Sequence, residues 1–175
     1  LDTINRMEGL VKEILMISRL TRDGMSLKYA SVNLQEVILD VLPSYELLAS
    51  EKNIRISKSE IQQTFAEVEE NSFKKVISNL LSNAIAYSPP GALVRVTLTK
   101  GMLSVENTGV WIPEHCLPEL FTPFYRIEQS RNKNTGGSGL GLYIIKTILD
   151  LHKMPFSITN TEEGVCFTID LGGSL

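Results

Sequence analysis

Two stretches of this sequence combine residue types that handle charged ligands. Asn79, Asn83 and Tyr87 recur every four residues, a spacing that lines them up along one face of a helix. Beside them Val76, Ile77, Leu80, Leu81, Ala84 and Ile85 make an apolar face of ordinary core type. Asparagine is a poor helix former because its side chain competes for nearby backbone groups, so its repetition in mid-helix implies that the amides are used. An amide oxygen is a neutral ligand suited to Mg²⁺, which takes oxygen donors and keeps much of its water. The plainer alternative is that both amides cap neighbouring backbone groups.

The second stretch is Thr135-Gly136-Gly137-Ser138-Gly139-Leu140-Gly141-Leu142, running straight into a helical pattern. Glycines let backbone approach a ligand closely. The start of the helix that follows offers unpaired N–H groups and a positive dipole end to phosphate. Gly136 and Gly141 have P-loop spacing, but Leu142 and Tyr143 stand where Lys and Ser or Thr are needed. A dinucleotide fingerprint on Gly137 and Gly139 needs a third glycine at 142, which is Leu. Neither pattern fits.

The elements that must hold these residues follow from periodicity and breakers. Residues 1–22 predict an amphipathic helix, with Ile4, Met7, Val11 and Ile14 at spacings of three and four. That stripe suits a hairpin or dimer seam, or a helix packed on its own domain. It opens at Leu1 without a cap, which reads as part of a longer chain. Residues 23–33 read as a linker. Asn33, an N-cap with Glu36 three residues on, starts a second helix to about residue 52, bent near Pro43. Strands are predicted at 54–58 and 64–68, then a helix from Asn71 or Ser72 to Tyr87, stopped by Ser88-Pro89-Pro90-Gly91. Residues 93–99 and 102–107 form a strand pair, 140–151 a helix, and 156–159 with 165–171 a last hairpin. The fold class is α+β, a two-layer sandwich of a mixed sheet with helices on one face, preceded by one long helix. Residues 108–138 are irregular, whereas connections run to about 4–6 residues. Such a length points to a functional lid.

Composition narrows the partners. Of 175 residues 43% are apolar and 21% charged, with a net charge of −3, so no broad basic surface exists for nucleic acid. The longest apolar runs, such as 14–17, fall far short of a membrane span. Cys116 and Cys166 stand apart from any CxxC or Cys/His pattern and read as reduced cytosolic thiols.

The motifs together resemble a known family. Asn79-Leu-Leu-Ser-Asn83-Ala-Ile-Ala-Tyr87-Ser is similar to the N box of sensor histidine kinases. Asn107-Thr108-Gly109-Val110-Trp111-Ile112-Pro113 resembles their first glycine box, Phe121-Thr-Pro-Phe124-Tyr125-Arg126 the F box, and Gly137-Ser-Gly139-Leu-Gly141-Leu142 the second glycine box. Residues 1–22 resemble the second helix of the dimerisation hairpin, which makes 34–175 the catalytic domain. The variants Ala-Tyr-Ser and Asn-Thr-Gly look like the vancomycin-resistance sensor kinases.

The resemblance implies a Bergerat-type ATP site under a mobile lid. In it Asn83 ligates Mg²⁺, Asn79 assists through water or phosphate, and Tyr87 borders the nucleotide. Asn107 takes the place of the adenine-reading Asp, and Gly109 lets the base approach the backbone. Gly137, Gly139, Gly141 and Leu142 line the phosphates, Arg126 and Arg131 supply lid cations, and Phe121 and Phe124 anchor the lid on the core. Partners implied are ATP, a response regulator and a second copy joined through the hairpin helices. The setting implied is the cytoplasmic domain of a membrane-bound sensor whose membrane segments lie upstream.

Three positions depart from the pattern: Ala86 where a Lys is frequent, Asn107 for Asp, and Trp111 for the second glycine. As an amide, Asn107 can turn and offer N–H to guanine, which predicts weaker discrimination against GTP. No phosphoacceptor His is present, since His115 and His152 lack the usual acidic and proline context and read as structural or solvated. In ATPases of this fold the position of Asn79 is a Glu that activates water, and an amide cannot act as a base. The leading reading is therefore a kinase; a non-catalytic nucleotide-sensing module and an ATPase remain the alternatives.

Overall fold

A computed structural model describes residues 2–22, 27–127 and 137–172. Helix α1 spans Asp2–Thr21, strand β1 Ala30–Asn33, and α2 Leu34–Glu51. Strands β2 (Arg55–Ile61) and β3 (Phe65–Val68) lead into α3 (Glu70–Tyr87). The hairpin β4 (Leu93–Thr99) and β5 (Met102–Thr108) precedes a 3-10 helix at Glu114–Glu119. Helix α4 (Gly141–Leu151) and the hairpin β6 (Phe156–Asn160) and β7 (Gly164–Asp170) complete the chain. Among the described residues no helix is long and apolar enough to cross a membrane.

Five strands make one mixed sheet in the order β2-β4-β5-β7-β6, with β2 parallel to β4 and the other neighbours antiparallel. Side chains alternate across a strand, so Val94, Val96 and Leu98 of β4, Leu103 and Val105 of β5, and Phe167 and Ile169 of β7 are buried together. The helices cover that face. Phe73, Ile77, Leu81 and Ile85 of α3 recur at spacings of four and are each at most 1% exposed, and Ile144, Ile145, Ile148 and Leu149 of α4 are wholly buried.

Several boundaries move from the sequence expectation, each for a local reason. Residues 30–33, inside the stretch read as a linker, form β1 and pair antiparallel with β3. Strands β2 and β3 consequently belong to different sheets. The Asn33 and Glu36 pair forms as expected: Asn33 Oδ1 accepts from Gln35 N at 3.2 Å, and its Nδ2 donates to Glu36 at 3.0 Å. Helix α2 continues through Pro43 to Glu51. Along α1, Ile4, Met7, Val11 and Ile14 stay 43–64% exposed, while Leu20 is buried and Met16 and Ile17 pack on the core. The apolar stripe is thus uncovered within one chain.

Helix α3 starts earlier than Asn71 because Glu69, not Asn71 or Ser72, is its N-cap. The Glu69 carboxylate accepts from Asn71 N at 3.2 Å and Ser72 N at 2.7 Å. Burial opposes its ionisation, but the Ser72 hydroxyl and the Ser72 and Asn71 N–H groups, together with His152, hold its pKa below the ordinary 4.5. Loss of such a cap costs about 1 kcal/mol. Because the folded pKa is lowered, this contribution is present above the unfolded pKa and is lost as pH falls through the folded one. Urea titrations of Glu69→Ala against wild type should show the gap at pH 7 and its closure in acid; a gap independent of pH contradicts the assignment.

Candidate functional site

On α3, Asn79 and Asn83 lie one turn apart on the side that meets the start of α4. A Cβ on Gly141 would lie 3.5 Å from both amide atoms of Asn83, so that amide rests directly on the glycine. Asn79 Nδ2 is buried and has no hydrogen-bond partner among the described residues. At the start of α4, Leu140 N donates to Ser138 Oγ at 3.2 Å, and the ladder opens with Ile144 N donating to Leu140 O. The N–H groups of Gly141 and Leu142 therefore sit in the unpaired first turn.

Two cavities meet at Asn83, Tyr87, Arg126 and Leu142. The first, of about 350 Å³, runs between α3 and the sheet and is walled by Val105, Val110, Trp111, Ile112, Ile158 and Phe167, with Asn107 as a polar group. The second, of about 500 Å³, is more polar and is lined by Asn79, Gly137, Ser138, Gly139 and Gly141. Arg6 and Glu13 reach this second cavity from α1. An apolar slot opening onto a polar chamber suits a flat ring bearing a charged tail. Among the described residues no three His, Cys, Asp or Glu side chains group to hold a metal. A cation here would rest on amide oxygens, ligand phosphates and water.

The described end of the segment expected to form a lid is tied to the glycine turn. Phe124 N donates to Gly139 O at 2.9 Å, and Arg126 Nη1 donates to Gly137 O at 3.2 Å. Gly139 has φ +78, and a Cβ there would come within 2.9 Å of the Phe124 backbone, so only glycine fits. Phe121 packs edge-on against Phe156 at 5.2 Å and anchors the segment as expected. Phe124 does not. It is 58% exposed, with φ +65, and contributes backbone rather than a core side chain.

The turn after β5 is set by side chains distant in sequence. Asn160 clamps Ile112, accepting from its N–H at 2.9 Å and donating to its carbonyl at 2.8 Å. Trp111 Nε1 donates to Thr161 O at 3.3 Å, which leaves the ring over the first cavity. Gly109, with φ +77 beside Pro89, makes the turn but lines neither cavity. Ala86 lines the first cavity and brings no charge. Arg131 lies outside the described residues. His152 is fully engaged, accepting from Glu69 N at 3.0 Å and meeting Ile148 O at 2.7 Å, while His115 is exposed.

Residues 68–173 match the family described as Histidine kinase-, DNA gyrase B-, and HSP90-like ATPase. The chain belongs to that family. Its match covers α3, the glycine turn and both hairpins, which wall the first cavity and, with α1 outside the match, the second. Among histidine kinase-like relatives, the chain is 33% identical over 173 residues to the sensor protein VanSB of Enterococcus faecalis, covering 96% of this chain and 38% of that protein. The chain spans well under half the length of the curated relatives it matches. The solved catalytic domain of histidine kinase ThkA is 27% identical with a TM-score of 0.70, covering 83% of this chain and 96% of that one. The ThkA structure in complex with response regulator TrrA gives 26% identity and a TM-score of 0.74, covering 99% of this chain and 49% of that one.

Sequence reasoning missed three positions that shape this ATPase-family site. Ser88, read as a helix stop and the end of the N box but given no role in the site, holds Asn107. Asn160 fixes the turn that carries Trp111. Gly164 lets β7 pass the Asn107 carbonyl, where a Cβ would stand only 2.0 Å from that oxygen.

Proposed function

We propose that this chain is the ATP-binding catalytic unit of a sensor histidine kinase. It holds Mg-ATP and passes the γ-phosphoryl group to a histidine outside this chain, from which a response regulator takes it. The observation that carries this reading is the pair of amides on α3, Asn79 with its buried unpartnered N–H₂ and Asn83 seated on Gly141. Together they face the unpaired N–H groups at the start of α4.

In this reading the purine enters the apolar cavity beside Tyr87, with Asn107 reading its edge. The phosphates occupy the polar chamber against Gly137, Gly139, Gly141 and Leu142. Asn83 supplies the metal ligand and Asn79 a hydrogen bond to phosphate or bound water. Mg²⁺ held there would neutralise charge on the phosphate oxygens. Arg126 and Arg131 serve the γ-phosphate, while Arg6 and Glu13 bring opposite charges to the chamber from α1 and Ala86 brings none to the first cavity. The amide at Asn79 leaves no carboxylate to activate water at that position, which favours transfer to a side chain over hydrolysis. The uncovered stripe of α1 supports pairing with a second copy through the hairpin helices, on the cytoplasmic side of a membrane-bound sensor.

Calorimetric titration with ATP should show saturable binding in Mg²⁺ and a loss of at least tenfold in EDTA, a change of about 1.4 kcal/mol. Binding of equal strength without the metal removes Asn83 from its assigned role.

A further inference from the structure

Asn107 stands on β5 where the wall of the first cavity meets the end of α3, and is 8% exposed. Its Nδ2 donates to Ser88 Oγ at 3.2 Å. Ser88, 9% exposed, donates its own hydroxyl hydrogen bond to Ala84 O at 2.6 Å. A hydroxyl has one proton and two lone pairs. With the proton committed to Ala84, Ser88 can only accept from Asn107. Turning the amide over would set Oδ1 against the lone pairs of Oγ, with no proton between two buried oxygens. Pro89 and Pro90 follow and bring no N–H to replace the hydroxyl. Among the described residues the Asn107 side chain makes no other hydrogen bond, so its oxygen is left for the cavity.

We infer that Ser88 sets the base choice of this site by locking the Asn107 amide with its oxygen toward the ligand. The inference rests on the proposed reading of the cavity as a purine pocket. Adenine presents its 6-amino N–H to that oxygen. Guanine brings a carbonyl oxygen to the same place, acceptor against acceptor. On this inference the relay from Asn107 through Ser88 to Ala84 holds the amide in one orientation, where the sequence alone leaves it free to turn toward guanine. Ser88 is a positioning residue, acting on the base through Asn107.

The test titrates ATP and GTP calorimetrically, in Mg²⁺, against wild type, Ser88→Ala, Ser88→Thr, Asn107→Asp and the double variant Ser88→Ala/Asn107→Asp. With Asn107 present, Ser88→Ala narrows the ATP-to-GTP affinity ratio by about fivefold, the scale of one neutral hydrogen bond. Ser88→Thr keeps the hydroxyl and keeps the ratio. A carboxylate has two equivalent oxygens and no wrong orientation, so in the Asn107→Asp background Ser88→Ala leaves the ratio unchanged. Equal narrowing in both backgrounds gives Ser88 a packing role and overturns the inference. An unchanged ratio for Ser88→Ala alone, with ATP binding intact, also overturns it and leaves the nucleotide reading standing. Should Ser88→Ala fail to fold, Ser88→Cys, close in volume but a weak hydrogen bonder, must show the same narrowing. Absence of ATP binding by the wild type removes the purine reading itself, and this inference with it.

Discussion

Asn83→Ala should largely abolish Mg-dependent ATP binding and leave the melting temperature within about 2 °C of wild type, less than a 1 kcal/mol change produces in a domain of this size. Asn83 sits half-buried on the polar stripe of α3, and truncating it opens space toward two existing cavities rather than in the core. Its loss removes an oxygen donor from the place where a cation would meet the phosphates. The matching core variant is Leu81→Ala, not Leu80→Ala. Leu80 is buried but lines the first cavity, so its truncation would disturb both fold and ligand. Leu81 is wholly buried and lines neither cavity. Leu81→Ala should cost about 2–5 kcal/mol in stability and leave ATP affinity unchanged. Equal losses of melting temperature in both variants would make Asn83 a structural residue.

Gly164→Ala should damage fold and site together. The added carbon would fall 2.0 Å from the Asn107 carbonyl oxygen and 2.8 Å from Thr108 Cα, so β7 and β5 must part at the residue that faces the cavity. Both neighbours are backbone held in an antiparallel ladder, with Gly164 opposite Thr108, and neither can swing aside as a side chain would. Overpacking of this kind costs about 1–3 kcal/mol or more. Displacing Asn107 should also weaken ATP by at least tenfold, about 1.4 kcal/mol. Gly91→Ala separates contact from strain, because it carries a conformational strain that Gly164 lacks, with φ +85, and has nothing within 4 Å. A Gly164→Ala protein with wild-type melting and ATP affinity would contradict the close passage of the two strands.

Local pattern carried most of the fold. The period of four in α3 placed Asn79, Asn83 and Tyr87 on one side and the core residues on another, and the glycine turn was recognisable from composition alone. What the pattern could not carry was pairing between distant segments. Strand β1 is four residues long and has no alternation of burial, so nothing local distinguishes it from a linker. The F-box resemblance makes Phe124 an anchor, yet its place is fixed by backbone contact with Gly139. Ser88 and Asn160 act through partners 19 and 48 residues away, and Gly164 matters only because Asn107 passes beside it. The sequence signal for Gly164 was a lone glycine opening a strand, which marks a close backbone approach.

The most direct test of the account follows the γ-phosphate of labelled Mg-ATP. The chain is incubated alone and with a separate hairpin domain carrying an acceptor histidine. Alone, the chain should leave the label on the nucleotide, with no turnover to free phosphate and none on His115 or His152. With the hairpin present, acid-labile label should appear on the hairpin. Steady release of free phosphate by the chain alone, or acid-labile label on His115 or His152, would contradict transfer to a histidine outside it.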